Sequence, residues 1–284
     1  AFLDAVAAAI PDGAWLVTYN GRGFDWPLLV TRFRMQRRPP PLHAGHLDLL
    51  PVARQLWRHR LPDARLCSVE AGIAGVRREG DLPGALIPDR YFAWLRGGRG
   101  ELLSEVIDHN RQDVVSLARL LAELGSRLGC DDGRRRAHPG DLAGLGRAFL
   151  RRRRHDEALA CYEAAIERCR ERLGEGWHAP AELDTLLAQR ARLLARMGRA
   201  HESAAVWRTV ADRGGALAAR AWLQLAKHRE HVERDPLAAL EAVRRAQAYV
   251  EQAGLLGRPA MVPEGDIGPR IARLRRKAAA RLSG

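Results

Sequence analysis

Lysine is nearly missing from this 284-residue chain: Lys227 and Lys277 stand alone among 47 basic residues, and the rest are arginine. Against 34 acidic residues this leaves a net charge of +13. Such a balance suits a polyanionic partner, and it equally suits an arginine-rich surface set by nucleotide-composition bias. Cysteine is scarce as well. Cys67, Cys130, Cys161 and Cys169 form no C-x-x-C pair and no zinc spacing; Cys161 and Cys169, in a helical pattern, read as reduced, packed thiols, and the compartment as a reducing cytoplasm. The apolar run at residues 5–10 is far too short to span a bilayer. No basic, apolar and cleavage-site succession marks a secretory signal. Walker A, G-x-G-x-x-G and G-x-S-x-G motifs are all absent, which argues against a P-loop, a dinucleotide fold or a hydrolase elbow.

What is present suits a soluble chain of two domains, 46% hydrophobic and 29% charged. The chain opens at Ala1 in a helical pattern, and the strand that follows has no earlier strand to pair with. A fragment of a longer protein is the expectation. Helix and strand signals then alternate. Residues 1–10 read as a helix, 14–19 as a strand and 24–35 as a helix with Pro27 in its first turn. Residues 46–50 open either a strand or a helix, 52–57 are helical, and Ser68 caps another helix. Residues 77–100 are loop-like around a short aromatic helix at 91–95, and 102–124 carry a long helical pattern.

Composition shifts at 125–140, the expected linker. Beyond it the pattern is helical and repetitive. Ala158, Ser203 and Ala239 occupy equivalent positions 45 and 36 residues apart, near the roughly 34-residue tetratricopeptide period. An insertion at 174–180 absorbs the first excess. Stacked helix pairs would bury Tyr162, Ala165 and Trp207 and end in a capping helix near 271–282, with Ile271 and Leu274 inward and Arg273, Arg275 and Arg276 outward. A generic helical bundle is the plain alternative.

Two segments carry chemistry. In the first, an apolar strand delivers Asn20 and a glycine-rich turn, then sets Asp25 at a helix start, where the dipole favours a carboxylate. An ordinary N-terminal aspartate reads the same way. In the second, His109 and Asp113 lie four apart, hence on one helical face. Such a pair can share a divalent metal site, with aspartate as ligand and histidine as base for a metal-bound water. A surface His–Asp pair also fits.

Taken together, the strand and turn of residues 18–27 (T-Y-N-G-x-x-F-D-x-P), the H-x-D-L-L of 46–50 and the H-N-x-x-D of 109–113 follow a familiar order. Residues 66–70, 81–84 and 87–88 belong to the same pattern. Residues 1–124 thereby resemble the bacterial ribonuclease H-like domain proteins of the YprB type, within the DEDD 3′–5′ exonuclease superfamily. The resemblance implies an α/β ribonuclease H-like fold and two-metal hydrolysis of DNA or RNA with Mg²⁺ or Mn²⁺. It further implies Asp25 and Asp113 as metal ligands, His109 as catalytic base, and Asn20, Arg22 and Phe24 as nucleic-acid contacts.

One departure is large. The D-x-E motif that supplies the bridging carboxylates in such enzymes occurs nowhere in the 284 residues. The chain therefore reads as an exonuclease domain lacking its first strands and inactive on that account (1–124), a linker (125–140), and an all-α tetratricopeptide-like domain (141–284). The alternative is a non-catalytic nucleic-acid-binding adaptor whose repeats recruit a protein or peptide; neither reading involves a membrane. Other clusters carry less. His43-x-x-His46-x-Asp48 is a thin zinc pattern, His228-x-x-His231 lacks the metalloprotease glutamate, and Arg151 to Arg154 reads as a solvated face.

Overall fold

A computed structural model describes residues 1–78, 81–174, 180–257, 262, 265 and 267–282. The chain divides into two compact units, Ala1–Arg134 and Arg135–Gly284.

The first unit opens with α1 (Phe2–Ala9) and reaches β1 (Trp15–Thr18) through a turn with Gly13 at φ +81°. Helix α2 (Asp25–Met35) then crosses over to β2 (Gly45–Asp48), which pairs parallel to β1 with Thr18 opposite Asp48. Parallel strands need such a crossover, since no hairpin can join them. The expected ambiguity at 46–50 resolves as both elements in succession. β2 runs directly into α3 (Leu49–Trp57), with the Asp48 side chain capping its Leu50 N–H. Phe33, Leu49, Leu56, Trp57 and Val69 are each 2% exposed or less and form the centre of this unit.

Helix α4 (Leu66–Val69) leads into a π turn, Glu70–Ala74, which closes at Gly75 in the left-handed region, φ +67°. The cap expected at Ser68 is different. Ser68 lies inside α4 and donates its hydroxyl to Asp63, which also takes the Arg65 N–H and so organises the helix entry. A 3₁₀ turn (Gly84–Leu86) precedes α5 (Ile87–Leu95), which packs on α6 (Glu101–Leu128).

The stretch expected as a linker is mostly helical. α6 continues to Leu128, and α7 (Asp131–Arg136) follows at once. A Cβ at Gly133 would meet the Ser126 carbonyl at 2.0 Å, so glycine there serves close backbone approach rather than flexibility.

In the second unit α8 (Pro139–Arg151), α9 (His155–Gly174), α10 (Pro180–Arg196), α11 (Ala200–Asp212), α12 (Ala218–His231), α13 (Pro236–Leu255) and α14 (Ile267–Leu282) pack each on the next. Ala158, Ser203 and Ala239, on α9, α11 and α13, are all buried, as are Tyr162, Ala165 and Trp207. Ser203 donates its hydroxyl to the Ala191 carbonyl at 2.8 Å, tying α11 to α10. Leu274 is buried in α14, but Arg273 is not simply outward, because it reaches the enclosed carboxylate of Glu230 on α12. Most of the 174–180 insertion lies outside the described residues. No helix of the described residues is long and apolar enough to cross a membrane.

Candidate active site

Asp48 fixes the turn that follows β1. Its Oδ1 accepts the Asn20 N–H at 2.8 Å and the Leu50 N–H at 3.0 Å, while Oδ2 accepts the Arg22 N–H at 3.1 Å. One carboxylate thus caps α3 and straps the glycine-rich turn to the end of the sheet. Asn20 sits at φ +68°, a conformation asparagine tolerates better than most residues. Gly21 is obligatory in this arrangement, since a Cβ there would lie 2.6 Å from the Cβ of Thr18. Thr18 in turn hydrogen-bonds His46 Nε2 at 2.8 Å, and burial holds the His46 pKa below its ordinary value.

Asn20, Arg22 and Phe24 are exposed on this turn, and Asp25 stands exposed as the first residue of α2. No hydrogen bond or ion pair joins Asp25 to His109 or Asp113 among the described residues. The zinc pattern at 43–48 gathers little: the His43 and His46 rings meet edge-on at 6.0 Å, and both Asp48 oxygens are taken by backbone N–H groups.

The second motif sits in a denser network centred on Arg78. The Arg78 guanidinium forms a fork on Glu70, Nε to Oε2 and Nη2 to Oε1, both at 2.6 Å. Nη1 donates to Asp81 Oδ2 at 2.8 Å, and Nη2 also donates to Asp113 Oδ1 at 2.6 Å. The Glu70 and Arg78 side chains are 2% and 8% exposed, whereas Asp113 is 38% exposed. A buried charge survives only when paired, and planar bidentate geometry makes arginine suited to that task. The Glu70 fork, helped by Asp81 and Asp113, pushes the Arg78 pKa upward.

His109 completes the network. Its Nδ1 lies 2.7 Å from Asp81 Oδ1, and its Nε2 lies 3.7 Å from Asp113 Oδ2. Burial would raise the Asp81 pKa, but the hydrogen bonds from Arg78 and His109 outweigh it and hold the carboxyl below its usual range. Beside His109 opens a cleft of about 380 Å³, lined by Asp81, Pro83, Arg90, Asp108 and Gln112 among others. The π turn and α6 are also tied directly, Arg127 donating to the Ile73 carbonyl at 3.1 Å.

Of the expected site residues, then, His109 and Asp113 are brought together, and Asn20, Arg22, Phe24 and Asp25 share a separate turn at the sheet end. Arg78 and the roles of Glu70 and Asp81 were not read from the sequence. The available signal was the R-x-x-D spacing of Arg78 and Asp81 and a lone glutamate within an apolar stretch.

Comparison with known proteins bears on the fold of this segment. A family model described as RNase_H superfamily matches residues 1–125. The chain is 32% identical over 265 residues to YprB of Bacillus subtilis (strain 168), itself an uncharacterized protein. The match covers 92% of this chain and 60% of the relative, so the chain spans about three fifths of the longer protein. Residues 1–125 are an RNase H-like domain, and a largely helical region follows them.

Proposed function

We propose that residues 1–125 belong to a nuclease-type unit performing metal-dependent 3′–5′ hydrolysis of DNA or RNA phosphodiesters, and that the 284-residue chain alone does not hydrolyse them. The observation that carries the reading is the pairing of His109 Nε2 with Asp113 Oδ2 across 3.7 Å on one face of α6.

The donor set fits a hard divalent cation such as Mg²⁺ or Mn²⁺, which prefers carboxylate oxygens. Asp113 commits Oδ1 to Arg78 and keeps Oδ2 without a hydrogen bond among the described residues, and the Asp25 carboxylate is exposed. Asp113 and Asp25 are the residues that would hold the metals. The metals would supply charge neutralisation at the scissile phosphate and acidify a bound water. His109 takes the proton of the attacking water at Nε2. The remaining hydroxide pair adds to phosphorus, and the bond to the leaving nucleotide oxygen breaks. Asn20, Arg22 and Phe24 contact the nucleic acid. The bridging carboxylates of a D-x-E strand are not among these 284 residues, which is why the chain alone is assigned no turnover.

The test is a nuclease assay with Mg²⁺ or Mn²⁺. The 284-residue chain is expected to show no hydrolysis above background. A longer chain carrying a D-x-E strand should degrade a 3′ end, and Asp113→Asn should abolish that activity. Robust metal-dependent digestion by the 284-residue chain would refute its proposed inactivity. Activity indifferent to Asp113→Asn in the longer chain would refute the site.

A second reading is a non-catalytic nucleic-acid-binding adaptor, favoured by the way Arg78 already neutralises Asp113. It predicts no hydrolysis in any longer chain. In either case the α8–α14 region is proposed as tetratricopeptide-like, a surface for a protein or peptide partner.

A further inference from the structure

We infer that Asp81 and Arg78 are positioning residues that set His109 as a base toward the Asp113 side of the site. The inference rests on the nuclease reading for its use in catalysis, but the arrangement itself is measurable without turnover.

Asp81 is held ionised by Arg78, and an ionised carboxylate offers only acceptors. At 2.7 Å from Asp81 Oδ1, His109 Nδ1 must therefore carry the proton. In neutral His109 this leaves the lone pair on Nε2, which is the nitrogen facing Asp113. A carboxylate behind an imidazole that fixes its tautomer and supports the imidazolium is a known catalytic arrangement.

Arg78 sets the other half. Its Nη2 holds Asp113 by Oδ1, which leaves Oδ2 as the oxygen toward Nε2. Two acceptors 3.7 Å apart exceed hydrogen-bond reach of each other. A single water can donate one O–H to each, and such a water is placed to lose its proton to Nε2. After that transfer the imidazolium keeps Nδ1–H on Asp81 and gains Nε2–H toward Asp113. Both new positive ends then face carboxylates.

One guanidinium fixes both carboxylates, which gives a reason for its burial at 8% exposure. Glu70, at 2%, takes the Nε edge of the guanidinium and orients the plane. The cleft lined by Asp81 and His109 gives the pair an open side.

The experiment is ring-nitrogen NMR on the full 284-residue chain labelled with ¹⁵N, at a pH where His109 is neutral. His109→Gln identifies the signals by their loss. The expected spectrum has a protonated Nδ1 and a bare Nε2, the reverse of the form that free imidazole side chains prefer. Asp81→Ala should move the proton to Nε2, and Asp81→Glu should restore it to Nδ1. A wild-type spectrum with the proton on Nε2 overturns the inference even if every variant fails to fold. A folded Asp81→Ala protein with its tautomer unchanged overturns it as well. Should the tautomer be as stated while a longer, active chain tolerates His109→Ala, the catalytic reading fails and the positioning stands.

Discussion

The Glu230 side chain on α12 is 1% exposed, yet it faces three cations from α14: Arg273 at 2.7 Å, Lys277 at 2.8 Å and Arg270 at 3.4 Å. Burial would raise its pKa, but Lys277 and Arg273 outweigh that and hold it below the ordinary glutamate value. The sign of the pH dependence follows. A depressed carboxylate adds stability that is complete above the unfolded pKa of about 4.3 and is lost as pH falls through the lower folded value. Glu230→Gln should therefore destabilise the helical unit at pH 7 by about 2 kcal/mol, the scale of charge-assisted hydrogen bonds. Its stability should also change less than the wild type's between pH 6 and pH 3. Denaturant titrations at those two pH values decide the matter, and parallel losses in both proteins would show that Glu230 is not the linked group.

At the scale of elements, close packing explains what single side chains do not. α8 crosses α9 at Gly146, where a Cβ would lie 2.9 Å from the Tyr162 ring, and Tyr162 is 1% exposed. Gly146→Ala should cost roughly 1–3 kcal/mol through overpacking, despite the better helix propensity of alanine. A thermal melt showing a gain in stability would mean that the helices can separate freely there. Leu274 in α14 is 0% exposed, and its truncation to alanine should cost about 2–5 kcal/mol.

These contacts also mark how far the sequence could be read. β1, α2, α6 and the pairing of His109 with Asp113 were legible, because periodicity and i,i+4 spacing are local signals. The Arg78 network was not: Arg78 stands in an aperiodic stretch, 35 positions before Asp113 and 8 after Glu70. Nothing local tells an enclosed arginine from a solvated one. The stretch 125–140 is helical over most of its length, with Gly133 serving close backbone approach, and the boundary between the two compact units falls within it, between Arg134 and Arg135.

For the whole molecule, charge is distributed unevenly. Counted from the sequence, unit Ala1–Arg134 carries a net +2 and unit Arg135–Gly284 a net +11. The charge that attracts a polyanion is therefore carried mostly by the helical unit. Within it Arg192 is held below its ordinary pKa, first by burial and then by the like charges of Arg220 and Arg196. No carboxylate pairs with Arg192, Arg196 or Arg220 among the described residues, and the Arg192 guanidinium lies 5.9 Å from the Trp207 ring. Crowded, unneutralised guanidinium groups are what a phosphate backbone would relieve, releasing counterions as it binds. If single-stranded nucleic acid engages these three arginines, affinity of the full chain should fall with salt. Replacing all three by alanine should then shrink the log–log slope by about 2, at roughly 0.7 per phosphate contact for a single strand. Fluorescence anisotropy with a labelled oligonucleotide over a salt series measures this directly. An unchanged slope in the triple variant would remove nucleic acid from this face and leave an acidic peptide as the partner its charge favours.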